Sequence, residues 1–331
     1  MRYYSFFSMN AIVQLTKQDY EECLKFILKL RYEWGGATGD FRSSGVKRDI
    51  GKYIHDQIGG KLAEIAFSKF CLREFGTEMK PDFEKYESQA DFFKGDISEV
   101  NDHGTWRKTR ILIDVKETKR SSRWHLIPFL ASTPKTDFFI FINVDLELDQ
   151  LLRYFKDALP FKDEEELMKK IPSFDIINAE ILGMINQEDL RRKSHVFNAG
   201  NDLPDINNIF KERVRDPSSS FSINDIADNN IDIDIGILGK KTFKINGKVQ
   251  VYTGITNRKR KKKVIQVNET WIKCDENITM KNESLGDYNL KKGVYKVEVD
   301  ALTRLKEDNY GIPVRLIHAS QEDFKQLINK I

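Results

Sequence analysis

With 331 residues, 40% of them hydrophobic and 32% charged, the chain has a globular composition and room for one large domain or two ordinary ones. The formal net charge of +3 is too small to name a partner, and no window reaches the apolar length of a helical membrane span. Cys23, Cys71 and Cys274 are odd in number and far apart, which excludes a disulfide framework or a cysteine zinc site and predicts a reducing, cytoplasmic setting.

The first residues lack a basic segment followed by a clean apolar block, so no signal peptide is read. Residues 16–31 (TKQDYEECLKFILKLR) predict a helix with Thr16 as its N-cap. A glycine-rich loop, 35–45, leads to a second helix over 59–76 (GGKLAEIAFSKFCLREFG), about four turns long and closed by Gly76. Residues 90–100 and 109–118 read as the strands of a hairpin, joined by the polar loop 101–108 (NDHGTWRK). After the basic stretch 119–125 (KRSSRWH) comes an apolar strand at 138–144 (FFIFINV), then a helical region over 148–170. Residues 178–192 read as a short strand and a helix. Proline and serines at 215–222 (RDPSSSFS) mark a boundary. Beyond it come short β segments (TFKIN, VQVYTGI, KVIQVNETWIKC, VYKVEVD) with Asn-Gly and Lys-Gly turns, then an amphipathic helix at 320–330. The expected organisation is an α/β domain over 1–215 and a smaller β-rich region over 222–331.

The stretch 111–118 (ILIDVKET) carries the most chemistry. Side chains two apart on a strand share a face, so Asp114 and Lys116 point the same way, roughly 6–7 Å apart along the backbone. Two carboxylates converging from adjacent strands suffice for Mg²⁺, which takes oxygen ligands and keeps several waters. Bound there, the ion lowers the pKa of a water and screens a phosphate. An ammonium beside it orients the nucleophile or stabilises charge in the transition state. Other signals fail: Gly59-Gly60-Lys61 lacks P-loop spacing, and the five histidines show no metal-ligand pattern.

The order of 60-GKLAEIAF-67, 95-GDI-97, 111-ILIDVKETKR-120 and 137-DFFIFINV-144 resembles the PD-(D/E)XK nuclease superfamily, and within it type II restriction endonucleases. The segment 179-AEILGMINQEDL-190 is similar to the strand and helix that close such cores, so the resemblance spans roughly 50–200. It implies a central mixed sheet flanked by helices, with Asp96 and Asp114 as Mg²⁺ ligands, Lys116 as the catalytic lysine and Glu64 as an accessory acid. The literal Pro-Asp pair, Pro81-Asp82, lies in a polar stretch that does not read as a strand. Asp96 is therefore ranked first as the leading acid, Asp91 second and Asp82 third.

Charge is segregated further along. Residues 240–263 hold ten Lys and Arg and no acid, ending in NRKRKKK, which suggests a polyanion-facing surface. Arg258, Lys259, Arg260 and Lys261 are candidate DNA contacts. So are Lys119, Arg120, Arg123 and Trp124, which follow the Asp-x-Lys strand directly. The expected activity is Mg²⁺-dependent, sequence-specific cleavage of double-stranded DNA by a homodimer, at least on DNA, with a possible methyltransferase acting separately. Two other readings share the fold: a structure-specific repair or junction-resolving nuclease, and an inactive DNA-binding protein.

Overall fold

The computed structural model describes residues 11–33, 50–84, 95–119, 121–129, 136–158, 172–260, 263–306, 308–317 and 319–331. It is a mixed α/β protein in two compact units. The first comprises residues 1–122, 129–191 and 317–331, and the second comprises 123–128 and 192–316. The expected division at 215–222 is therefore corrected on two counts. The chain passes to the second unit at Arg192, and the last helix returns to the first.

In the first unit, β1 (Ile12–Leu15) leads into α1 (Lys17–Leu28), α2 (Ile50–Phe75), β2 (Met79–Pro81), β3 (Ile97–Asp102), β4 (Thr105–Lys108) and β5 (Ile113–Glu117). After β6 (Trp124–Pro128), which belongs to the second unit, follow β7 (Phe138–Val144), α3 (Gln150–Ala158), β8 (Ile177–Asn186) and α4 (Gln187–Lys193). The main sheet has the order β1-β8-β7-β5, with β5 and β7 parallel and the other pairs antiparallel. Every residue of β7 is buried, as its unbroken apolar run requires of a central strand. A separate three-stranded sheet, β2-β3-β4, lies beside β5 in the chain.

Thr16 caps α1 as expected, in a capping box completed by Asp19. The second helix starts nine residues earlier than the expected Gly59, at Ile50, because Tyr53 and Ile58 continue its buried stripe. Gly59 lies in its interior where β5 approaches: a Cβ there would sit 2.5 Å from Glu117 Oε2. Gly76, at φ +67°, ends the helix as expected. The expected hairpin of 90–100 with 109–118 is also corrected. His103 and Gly104 both take positive φ (52° and 90°), forming a two-residue turn, so β3 pairs with β4 across the supposed loop. Of the helical region expected over 148–170, Gln150–Ala158 is helix, and 159–171 lie outside the described residues.

The final helix, α5 (Gln321–Lys330), carries Phe324, Leu327 and Ile331 into the first unit's core. The Phe324 ring meets those of Phe70 and Phe75 at 5.1 and 6.4 Å. That apolar face explains why the helix leaves the β-rich unit: it needs a partner surface, and α2 supplies one.

Apart from β6, the second unit's strands are β9 (His195–Phe197), β10 (Asp202–Pro204), β11 (Phe210–Arg213), β12 (Ser222–Ala227), β13 (Asn230–Asp234), β14 (Lys240–Asn246), β15 (Lys248–Arg260), β16 (Lys263–Cys274), β17 (Ile278–Asn282), β18 (Gly286–Leu290), β19 (Gly293–Val297), β20 (Ala301–Arg304) and β21 (Asn309–Pro313). They form sheets β11-β19-β16-β15-β12, β13-β14-β17-β18, β6-β21-β9 and β10-β20 around Phe210, Phe243, Tyr288 and their aliphatic neighbours. Alternating burial along β13, β14 and β18 matches the period-two sequence. All three cysteines are free and buried. Among the described residues no helix is long and apolar enough to cross a membrane.

Candidate active site

The apolar lead-in seats β5 against β7 in parallel register, with Asp114 opposite Phe139 and Lys116 opposite Phe141. Val115 is buried in the core, and Asp114 and Lys116 project from the other face, joined as an ion pair. Asp96 reaches the same place from the segment just ahead of β3. Its N–H donates to the Ile113 carbonyl at 2.7 Å, and its Oδ2 accepts the Val115 N–H at 2.6 Å. The preceding Gly95, at φ +93°, makes this docking possible, since a Cβ there would lie 3.2 Å from the Ile113 oxygen. Asp96 is thus fixed to the Asp-x-Lys strand through its backbone and its side chain, with its carboxylate within hydrogen-bonding reach of Asp114.

The literal Pro-Asp pair also arrives here, contrary to the sequence reading. Met79–Pro81 is a strand paired with β3, and the Asp82 N–H donates to the Asp96 carbonyl at 2.9 Å. The third-ranked acid is therefore buried at the cluster, whereas the second-ranked Asp91 lies outside the described residues.

Helix α2 supplies Glu64 and Lys61. Glu64 is not in a first turn, where the helix dipole alone would favour it; it lies deep in α2, 5% exposed. Lys61 Nζ is 2.8 Å from Glu64 Oε2 and donates to the Asp82 carbonyl at 2.5 Å. The rings of Phe26 and Phe83 lie 5.3 and 5.5 Å from it, which adds cation–π attraction. Lys61 was read from the sequence only as a failed P-loop residue. Its spacing from Glu64, one helical turn on the same face, is the signal that could have found it.

Electrostatically the cluster is crowded with acid. Burial raises the Glu64 carboxyl well above its usual value; Lys61 opposes the rise, while Asp96 and Asp82 reinforce it. Asp114 is raised to about 7, first by burial, with Lys116 opposing and Asp96 adding to the rise. For Lys61, burial disfavours the charge, but Glu64, Asp96 and Asp82 outweigh it and hold the ammonium above its ordinary value. Four carboxyl groups thus surround two ammonium groups, an arrangement that protons or a divalent cation would relieve.

The donors at this cluster are carboxylate oxygens, the type that Mg²⁺ selects. Asp114 Oδ1 is buried and, apart from its ion pair with Lys116, accepts no hydrogen bond. Among the described residues, no group of three or more His, Cys, Asp and Glu side chains is arranged to enclose an ion. A closed protein cage is therefore not built, but Mg²⁺ bound through one or two carboxylates and several waters does not require one. Asp96 and Asp114 fit that requirement.

A neighbouring acid was missed by the sequence reading. Glu117, next on β5, is raised to about 7, chiefly by burial and then by Asp56 of α2, with Lys119 and Lys52 opposing.

The candidate DNA-contacting residues divide. Lys119 is exposed in the first unit, and Arg120 lies outside the described residues. Arg123 and Trp124 belong to the second unit, so the basic stretch is not one patch on one unit. Arg123 pairs with Asp205 at 3.7 Å. Trp124 is corrected outright: it is 3% exposed, its Nε1 donates to the Pro204 carbonyl at 2.7 Å, and its ring stands edge-on to Phe197. Its indole is a core residue with no face left for a nucleic acid. Arg258, Lys259 and Arg260 lie on the outermost paired positions of the β15–β16 hairpin, and Lys261 is outside the described residues.

No family model, curated protein or solved structure matches the chain.

Proposed function

We propose that the chain is a divalent-metal-dependent nuclease of the PD-(D/E)XK type that cleaves double-stranded DNA at specific sequences. One observation carries this reading: Asp96 is held on the strand of Asp114 and Lys116 by a backbone bond of 2.7 Å and a side-chain bond of 2.6 Å. A chance Asp-x-Lys on an amphipathic strand has no reason to bring a second carboxylate from another segment to the same face. The order of the pieces supports the same fold assignment, with α2 contributing Glu64, β5 the Asp-x-Lys triplet, and β7 and β8 closing the sheet.

In this reading Asp96 and Asp114 hold Mg²⁺, whose chemistry is to screen phosphate charge and make water more acidic. Lys116 holds an ammonium on the face of Asp114, where it positions the attacking water and stabilises charge building on the phosphate. Glu64 and Lys61 position the acids from behind: Lys61 bridges Glu64 and the Asp82 backbone, which itself hangs on Asp96.

The test is incubation of purified protein with long duplex DNA and Mg²⁺, followed by sequencing of the fragment ends. Discrete, reproducible ends are expected, and EDTA abolishes them. Lys116→Ala and Asp114→Asn are each expected to lower the rate by at least about 100-fold. Cleavage by Lys116→Ala at the wild-type rate would overturn the mechanism, and random ends would favour the structure-specific nuclease.

A further inference from the structure

The long hairpin of β15 and β16 outruns the sheet that carries it. Strand β12 pairs with β15 only as far as Thr253, and β19 pairs with β16 only over Trp271–Cys274. Beyond those limits, Gly254–Arg260 and Lys263–Glu269 pair with each other alone among the described residues. At about 3.4 Å per residue the free ribbon extends roughly 20 Å, with its two strands about 5 Å apart. An unsupported two-stranded ribbon is marginal in water and exposes both edges, so its length needs a reason.

The register places Ile255 opposite Asn268 and Asn257 opposite Gln266, with Val264 two positions before Gln266 on the same face. All five of these residues are exposed, Ile255 at 63% and Val264 at 62%. The opposite face is covered at its base, where a Cβ on Gly254 would lie 2.2 Å from the Phe221 ring and Glu269 is buried. One face of the ribbon therefore presents three carboxamides and two branched aliphatic groups, and Lys259, paired with Val264, shares that face at its outer end. The chain carries Arg258, Lys259, Arg260 and Lys263 at the ribbon's outer end.

We infer that this face enters the major groove of duplex DNA and that Asn257, Gln266 and Asn268 read base edges there. The inference rests on the proposed action on DNA and supplies its sequence reader. B-DNA's major groove admits a two-stranded ribbon, and a carboxamide pairs bidentately with adenine N6 and N7. Ile255 and Val264 suit the thymine methyl in the same groove. The cationic outer end supplies the sequence-independent attraction to phosphate that carboxamide and aliphatic groups do not. The groove of an A-form RNA duplex is too deep and narrow for the same entry.

The experiment selects bound duplexes from a random pool with the full chain in EDTA, so that binding is read without cleavage. Wild-type protein is expected to enrich a sequence containing A·T pairs. The exposed triple variant Asn257→Ala/Gln266→Ala/Asn268→Ala is expected to lose that preference and at least about 10-fold in affinity for the enriched duplex. Its salt dependence should stay unchanged, because no cation is removed. Arg258→Ala/Lys259→Ala/Arg260→Ala should instead weaken enriched and random duplexes alike and flatten the salt dependence. Thermal melts matching wild type exclude misfolding of either variant. The inference is overturned if the carboxamide variant enriches the same sequence with wild-type affinity, if wild-type protein enriches nothing, or if RNA duplex binds as well as DNA. Enrichment by wild type without cleavage in Mg²⁺ would sink the nuclease proposal and leave the ribbon as reader.

Discussion

Lys61 gives the sharpest prediction. Its ammonium stands 2.8 Å from Glu64 Oε2 and 2.5 Å from the Asp82 carbonyl, inside a cluster that also holds Asp96. Lys61→Met keeps most of the volume and removes the charge. Glu64, 5% exposed, is then left beside other acids without its cation. Breaking one side of a buried pair costs about 3–5 kcal/mol, and protonation of Glu64 sets the ceiling. At about 2–4 °C per kcal/mol for a unit of this size, the melting temperature should fall by roughly 6–20 °C. The loss should depend on pH with a definite sign. Glu64 is already held well above its ordinary 4.5 by burial, and losing Lys61 raises it further. A carboxyl whose folded value exceeds its unfolded one costs nothing below the unfolded value and progressively more as pH climbs toward the folded one. The deficit should therefore be small near pH 5 and larger at pH 8. Urea unfolding followed by circular dichroism, without divalent metal, measures both. Lys61→Met/Glu64→Leu, which removes the whole pair, should recover most of the loss. A Lys61→Met protein within about 1 kcal/mol of wild type at pH 8, or a double variant weaker than the single, would refute the reasoning.

Three further outcomes are expected. Glu117 is raised to about 7 from 4.5, so wild-type stability should decline between those pH values; Glu117→Gln should flatten that decline by on the order of 2 kcal/mol, read from unfolding curves at pH 5 and 8. Equal pH dependence in the two proteins would contradict this. Trp124→Phe removes the bond to the Pro204 carbonyl and should cost about 1–3 kcal/mol while leaving DNA affinity unchanged, as a calorimetric melt and a binding titration would show; lost affinity in a folded variant would return the residue to the DNA surface. In Gly311→Ala the new Cβ would sit 2.4 Å from the Phe197 ring and 3.2 Å from Trp124, so overpacking should cost about 1–3 kcal/mol in denaturant melts, and a neutral result would mean that the rings can yield.

Local sequence signals served well where the determinant was itself local. Thr16 as a cap, Gly76 as a helix stop and the buried run Phe138–Val144 each depend on a few neighbouring residues, and each stands as expected. That Asp114 and Lys116 share a face was legible for a similar reason, whereas Asp96 beside them was expected only from the resemblance of the segment order to a nuclease core. The failures have two causes, a local turn masked by polarity and partners distant in sequence. Residues 101–108 looked like a loop because they are polar, but the His103-Gly104 turn folds them into the end of β3 and the whole of β4. Trp124 looked available because its chain neighbours are basic, yet it meets Phe197 and Pro204 more than seventy residues away.

The sequence alone determined the cap of α1, the stop of α2 and the buried central strand β7, because capping, periodicity and turn chemistry act within a few residues. It also determined which side chains share the face of one strand, through the fixed alternation of the backbone. Tertiary structure decided what those faces meet. It brought Asp82 and Lys61 to the carboxylate cluster, returned the final helix to the first unit, and left one face of the β15–β16 ribbon exposed. Those outcomes depend on burying apolar surface and satisfying backbone bonds between segments far apart in the chain, which no short window of sequence records.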